Sequence, residues 1–184
     1  KYWTMFTKFQ YGLVLPAMLV GIPMLVDILQ QRKIGKGLQM RDPVLLCLLL
    51  SPVVFAVGGI LGLFVDGGDT RTPAHYHGVI GGINLAFMGL FFGMFLPLLE
   101  RGLEKIKAAR VSAWLYAWGQ IFHSLGLFWA GGYGAPRKVA GADQGIEALG
   151  ATLGLYLMGV GALIAVIGGV MFIVQVTKAL LKKS

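Results

Sequence analysis

The sequence predicts an all-α integral membrane protein with five transmembrane helices. Three observations lead there. The first is composition: of 184 residues, 57% are hydrophobic and only 13% charged, with a mean hydropathy of +0.75. A soluble domain carries about 25% charged residues, and a chain this short buries too little surface to hide so much apolar area. The second is the distribution of charge. Four windows, 44–65, 74–99, 111–134 and 148–176, contain no formally charged residue. Each is as long as the ~20 apolar residues that cross a bilayer. The third is where the 16 Lys and Arg fall, which is between the apolar runs. A soluble enzyme, a disordered tail and a disulfide scaffold are excluded. The net charge of +8 is directed to a membrane lipid surface, not to nucleic acid.

Five spans follow in order: residues 9–29, 44–65, 74–99, 111–132 and 148–177, in one membrane domain covering 1–184. The first is apolar up to Asp27 and lacks the small-residue cleavage site of a signal peptide. The second holds the one cysteine, Cys47, which has no internal disulfide partner. The third opens at Thr72-Pro73-Ala74-His75-Tyr76-His77, where Pro73 suits a first helical turn. The charged stretch 100–110 reads as a solvated turn, and the small-residue stretch 131–144 as an ordered loop on the other side. Arg32, Lys33, Lys36, Arg41, Arg101, Lys105, Lys107, Arg110, Lys178, Lys182 and Lys183 collect on one side. Lys1, Lys8, Arg71, Arg137 and Lys138 collect on the other. By the positive-inside rule the first side is cytoplasmic. The N-terminus is then outside and the C-terminus cytoplasmic. Glycines recur four apart at Gly58 and Gly62, Gly78 and Gly82, Gly89 and Gly93. Such pairs let helices pack closely and can also leave room for a flat cofactor.

His75 and His77 are the chemical signal. Residues i and i+2 on an α-helix stand about 200° apart, so the two imidazoles point to opposite sides and do not chelate one metal as an i, i+4 pair does. Imidazole ligates iron, copper or zinc, and polar residues inside a membrane are costly and usually functional. Two readings are open at this point: two metal centres flanking one helix, or a pair of interfacial histidines, one wet and one hydrogen-bonded.

The surrounding sequence decides between them. Residues 55–89, FAVGGILGLFVDGGDTRTPAHYHGVIGGINLAFMG, resemble helices nine and ten of the catalytic subunit I of heme–copper oxidases. That family has a Gly-Gly, then Asp-Thr in an outer loop, then Ala-His-aromatic-His. Gly58-Gly59, Asp69-Thr70 and Ala74-His75-Tyr76-His77 occur here in that order. Gly134-Ala135-Pro136-Arg137-Lys138 resembles the family's Gly-x-Pro-Arg-Arg after helix eleven, with Lys in place of the last Arg. Ile22-Pro23 falls in a first helix similar to helix eight, and the last helix is similar to helix twelve. The resemblance covers nearly the whole chain.

It implies helices eight to twelve of a twelve-helix bundle, the C-terminal half of subunit I. It implies two hemes, with His75 the ligand of the high-spin heme and a catalytic residue, and His77 an axial ligand of the low-spin heme. Arg137 and Lys138 would neutralise heme propionates, Arg by paired hydrogen bonds and Lys as a point charge. Asp69 would join a propionate network, bind a cation or cap a loop. The family's three copper-ligating histidines and the second low-spin ligand lie on helices that this chain does not contain; it has only His75, His77 and His123. Copper is therefore expected in a partner chain, an N-terminal half of subunit I or its equivalent, beside other oxidase subunits. Cytochrome c or a quinol would be the electron donor, and a bacterial or archaeal cytoplasmic membrane the location.

The function implied is reduction of O2 to water with proton uptake. The alternatives are a nitric oxide reductase-like subunit and a non-catalytic heme electron-transfer subunit. Asp27 stands near the position of a proton-channel Lys in many oxidases and is a candidate for proton uptake. His123 matches no family ligand. It shares a helix face with Gln120 and reads as a helix-contact or heme-packing residue. Trp114, Tyr116, Trp118 and Phe122 read as packing and interface-belt aromatics.

Overall fold

The structure is a computed structural model that describes residues 2–9, 12, 14–33, 41–65, 67–139 and 146–182. Lys1, Lys36, Lys183 and the far end of the expected 131–144 loop lie outside the described residues. The named elements are all helical: α1 Tyr2–Phe9, α2 Val14–Lys33, α3 Pro43–Gly62, α4 Arg71–Leu90, a π-helical turn Phe91–Phe95, α5 Leu96–Leu98, α6 Ile106–Gly132 and α7 Leu149–Leu181. Contacts divide the chain into two units, Lys1–Gln39 and Met40–Ser184.

In the first unit α2 carries Pro23 in its interior, which removes one backbone hydrogen bond. The apolar part of α2 is Met18–Gln31, shorter than a span. In the second unit three helices are long and apolar enough to cross a membrane: Pro43–Gly62, Arg71–Leu98 and Leu149–Leu181. At 27 residues α6 has the length but is less apolar, and its position explains why. It packs against α3, α4 and α7, and its Ser112 and Ser124 are buried among them. A central helix can carry polar groups that a lipid-facing helix cannot.

Local signals set the helix ends. The Asp42 carboxylate accepts from the Val44 amide at 2.9 Å, and Pro43 takes the first position of α3. Helix α4 begins at Arg71, three residues before the expected start, so Pro73 falls inside its first turn. A missing N–H costs nothing there, because the first four amides have no helical acceptor. Both histidines therefore sit one turn deeper in the helix. Near the other end Pro97 cannot donate to the turn before it. The π-helical turn precedes it, with the Leu96 amide bonded to the Phe91 carbonyl.

Small residues pack the second unit. Phe55 meets Gly82 and Cys47 meets Gly89, so α3 and α4 run antiparallel. Gly81 lies against Gln120, and Gly119 and Gly126 face Ala165 and Met158, which makes α4, α6 and α7 alternate in direction as well. All six glycines in the three pairs face backbone or side chains of a neighbouring helix, and for Gly62 the facing group is the His75 ring. The main core, around Leu46, Val54, Leu85, Phe92, Leu96 and Ala113, fills the half nearer the α4–α6 connection. A smaller cluster, Leu61, Ala74 and Leu127, lies beside His75. On α7, Tyr156, Leu163, Val166 and Ile173 are exposed. Such an apolar outer face suits lipid or another helix as its surroundings.

Candidate functional site

His75 is held by backbone. Gly62 on α3 leaves a notch that the imidazole occupies, while Gly58, one turn earlier, lies against the backbone of α4. A Cβ on Gly62 would lie 2.5 Å from His75 Nδ1, so only glycine admits the ring. His75 Nδ1 is 2.8 Å from the Gly58 carbonyl oxygen. A carbonyl only accepts, so Nδ1 carries the proton and Nε2 keeps its lone pair. This is the arrangement of a metal-binding histidine: one ring nitrogen donates to a carbonyl and fixes the tautomer, and the other is left for the metal.

His77 faces the other way, toward α6. Its ring centroid lies 4.6 Å from that of His123, with the planes at 80°. Among the described residues neither ring nitrogen of His77 has a hydrogen-bond partner. His123 is itself anchored, with Nδ1 donating to the Met158 carbonyl of α7 at 3.1 Å. The two histidines border a cleft of about 370 Å³ that Tyr116, Gln120, Ala165 and Gly169 also line. Gln120 Oε1 in this cleft is buried without a partner, an acceptor awaiting a donor. The Tyr116 hydroxyl accepts from Asn84 Nδ2 at 2.8 Å and retains its own proton to donate. One imidazole thus stands on each of two opposite sides of α4. The small residues of α7 leave open space on the His77 side. Among the described residues, no three His, Cys, Asp or Glu side chains stand together as a metal site.

Both motifs come together at the histidine end of the bundle. The Thr70 amide donates to the Ala135 carbonyl at 3.0 Å and the Arg137 amide to the Gly68 carbonyl at 3.1 Å. The buried Thr70 hydroxyl donates to the Leu127 carbonyl at 2.7 Å. Gly131 is packed against the Arg71 amide and the Asp69 carboxylate. Asp69 spends both oxygens on one neighbour. Oδ1 accepts from the Arg71 amide at 2.8 Å, and Oδ2 accepts from Arg71 Nε at 2.9 Å and from a terminal nitrogen at 2.7 Å. These bonds hold its carboxyl below the usual carboxylate range, and the charges of Arg71 and Arg137 add to the effect. Arg137 is half-buried beside this clasp. Lys138 is exposed, with a left-handed backbone (φ 64°) rare for a side-chain-bearing residue. Asp27 lies in the other unit, exposed on α2.

Sequence reasoning missed Arg71, Thr70 and the specific role of Gly62. Thr70 carried a signal, since a hydroxyl residue just before a helix is a common cap. In the fold its hydroxyl bonds across to α6 instead.

No protein-family model matches the chain. An uncharacterised protein of Rickettsia prowazekii (strain Madrid E) is 35% identical over 136 residues, which is 68% of this chain and 26% of that protein. An uncharacterised protein of Aquifex aeolicus (strain VF5) is 35% identical over 74 residues, 40% of this chain and 18% of that protein. The chain therefore matches about a quarter or less of each curated relative's length.

Proposed function

We propose that this chain is the heme-binding half of a respiratory terminal oxidase that reduces O2 to water, acting with a partner chain that carries the copper ligands. One observation bears most of the weight. Two histidines on one helix face opposite sides, and the ring of the first is fixed through Nδ1 to a backbone carbonyl with Nε2 left for iron. The resemblance at Ala74-His75-Tyr76-His77 and at Gly134-Ala135-Pro136-Arg137-Lys138 supplies the cofactor. The much greater length of the relatives suits a five-helix portion of a larger subunit, with α2 and α6 completing the five spans.

When bound, the two hemes supply the electron relay and the oxygen-reducing iron. The protein's own part is positional. Helix α4 places the two imidazoles two residues apart, which keeps donor and acceptor groups close. The Gly58 carbonyl keeps His75 in one tautomer. Arg137 and Lys138, clasped to the start of α4, present positive charge at the histidine end for propionates. Among the described residues of the second unit, seven Lys and Arg lie at the opposite end and three at this one. That bias supports a cytoplasmic side away from the hemes, from which protons would be drawn, with Asp27 the candidate entry group. Purified complex should contain two hemes per copy. His75→Ala should remove the high-spin spectrum and His77→Ala the low-spin one. Full heme content in both variants would overturn the assignment.

A further inference from the structure

We infer that His123 is the positioning residue for His77, fixing its ring plane and accepting its second ring proton. This rests on the heme reading of His77 and adds to it a partner that the family motif does not name. A ligating imidazole that gives one nitrogen to a metal needs an acceptor for the N–H on the other. His75 has such an acceptor in the Gly58 carbonyl. His77 has none among the described residues except the ring beside it. His123 meets the requirement in three ways. Its centroid lies 4.6 Å from that of His77, edge to face, which puts a hydrogen bond of ordinary ~2.9 Å length within reach of a ring rotation. Its Nδ1 proton is committed to the Met158 carbonyl, so its Nε2 lone pair is the free acceptor. Its anchor is backbone of α7, and Gly161 packs directly against its own backbone, so the ring forms a fixed wall. The result is a chain from α4 through α6 to α7: His77 to His123 to the Met158 carbonyl. It performs for the low-spin ligand what one carbonyl of α3 performs for the high-spin ligand.

The test uses the purified complex with its partner chain. His123→Ala removes both the wall and the acceptor, His123→Phe keeps a ring and removes the acceptor, and His123→Gln restores an acceptor. Three readouts are compared: retention of the low-spin heme against a heme-scavenging apoprotein, its midpoint potential, and its low-temperature electron paramagnetic resonance. Loss of an outer partner of a metal ligand weakens metal-site affinity about 10–100-fold. The expected result is a loss of that order in His123→Ala. The potential rises in both Ala and Phe variants, because an imidazole without a hydrogen-bond acceptor donates less to ferric iron. The largest g value shifts in the Ala variant, where the ring plane is freed. His123→Gln recovers most of the potential, and the His75 heme is unchanged throughout. If His123→Ala matches the parent in all three readouts while His77→Ala loses the low-spin heme, the positioning role is refuted and the heme assignment stands. If the parent lacks a low-spin heme or His77→Ala retains it, the assignment fails and this inference with it.

Discussion

His75 rests on backbone. Its Nδ1–H meets the Gly58 carbonyl, and its ring fills the space that Gly62 leaves. His77, two residues on, rests on side chains, with the edge of His123 before it and an open cleft shared with Tyr116 and Gln120. The contrast follows from how the two faces of α4 are packed. Against α3 the approach is glycine to glycine, close enough for a carbonyl to reach an imidazole. Against α6 a serine and a glutamine stand opposite Gly78 and Gly81, so the helices leave room. An imidazole fixed by backbone has one geometry. An imidazole fixed by side chains can be tuned by substitution. Perturbing α3 should therefore damage the His75 side as a unit, and changes on α6 should grade the His77 side.

The largest effect expected is at Gly58. A Cβ there would lie 2.6 Å from the Gly78 carbonyl carbon. Backbone faces backbone, so α3 and α4 must separate, at the ~1–3 kcal/mol typical of overpacking. The adjacent Gly59 has nothing within 4 Å of its Cβ position, and Gly59→Ala should be near neutral, within about 0.5 kcal/mol. Thermal aggregation in detergent compares the two. Equal midpoints would remove the close approach as the reason for Gly58.

Gly62→Ala should cost less and be more selective. The atom it meets at 2.5 Å is the end of the His75 side chain, which can rotate away, so the helices need not move. The price is the Nδ1 hydrogen bond, about 1 kcal/mol, and some off-rotamer strain. Under the proposed heme assignment, the high-spin spectrum should weaken while the low-spin spectrum holds. Equal loss of both would mean that the two sides of α4 are not independent.

The helices and the opposed histidines were legible in the sequence, because apolar length and the helical repeat each fix something without tertiary information. The positions of Asp69 and Arg137 at the histidine end followed from hairpin topology for the same reason. Gly62 was read only as part of a packing stripe, because whether a small residue faces a backbone or an imidazole depends on the register of two helices. His123 was read as a contact or heme-packing residue, but its partner could not be named: His77 and Met158 are 46 and 35 residues away. The expected start of α4 was three residues late because Pro73 is tolerated anywhere in the first turn, not only at its first position. Asp69 carried three possible roles in the sequence, and Arg71 occupies both its oxygens in the fold.

Thr70 tests the clasp that brings the two motifs together. Its buried hydroxyl bonds to the Leu127 carbonyl. Thr70→Val keeps the shape and removes the donor, leaving the carbonyl only its bond within α6, at about 1 kcal/mol. Thr70→Ser keeps the donor and should fall between Val and the parent. The melting midpoint, with the rate of proteolysis across 131–138, measures it. A Val variant as stable and as resistant as the parent would show that the clasp holds through the two backbone bonds alone.

The smallest effect is at Asp69 and depends on pH. Arg71 holds the Asp69 carboxyl below its ordinary value, near 4 for an aspartate, so the unfolded chain binds this proton first as pH falls. The contribution is complete above about pH 5 and is lost as pH drops through the native value of Asp69. The pair is partly open to water, with side-chain exposures of 25% for Arg71 and 18% for Asp69, and salt screens it. Arg71→Gln removes the cause. Melting midpoints of parent and variant between pH 6 and pH 3 should differ by a constant amount at the upper end and converge toward the acid end. The gap should narrow further at high salt. A gap that stays constant to pH 3 would mean that Arg71 acts through its packing on Gly131, and that the ion pair contributes nothing to holding the clasp shut.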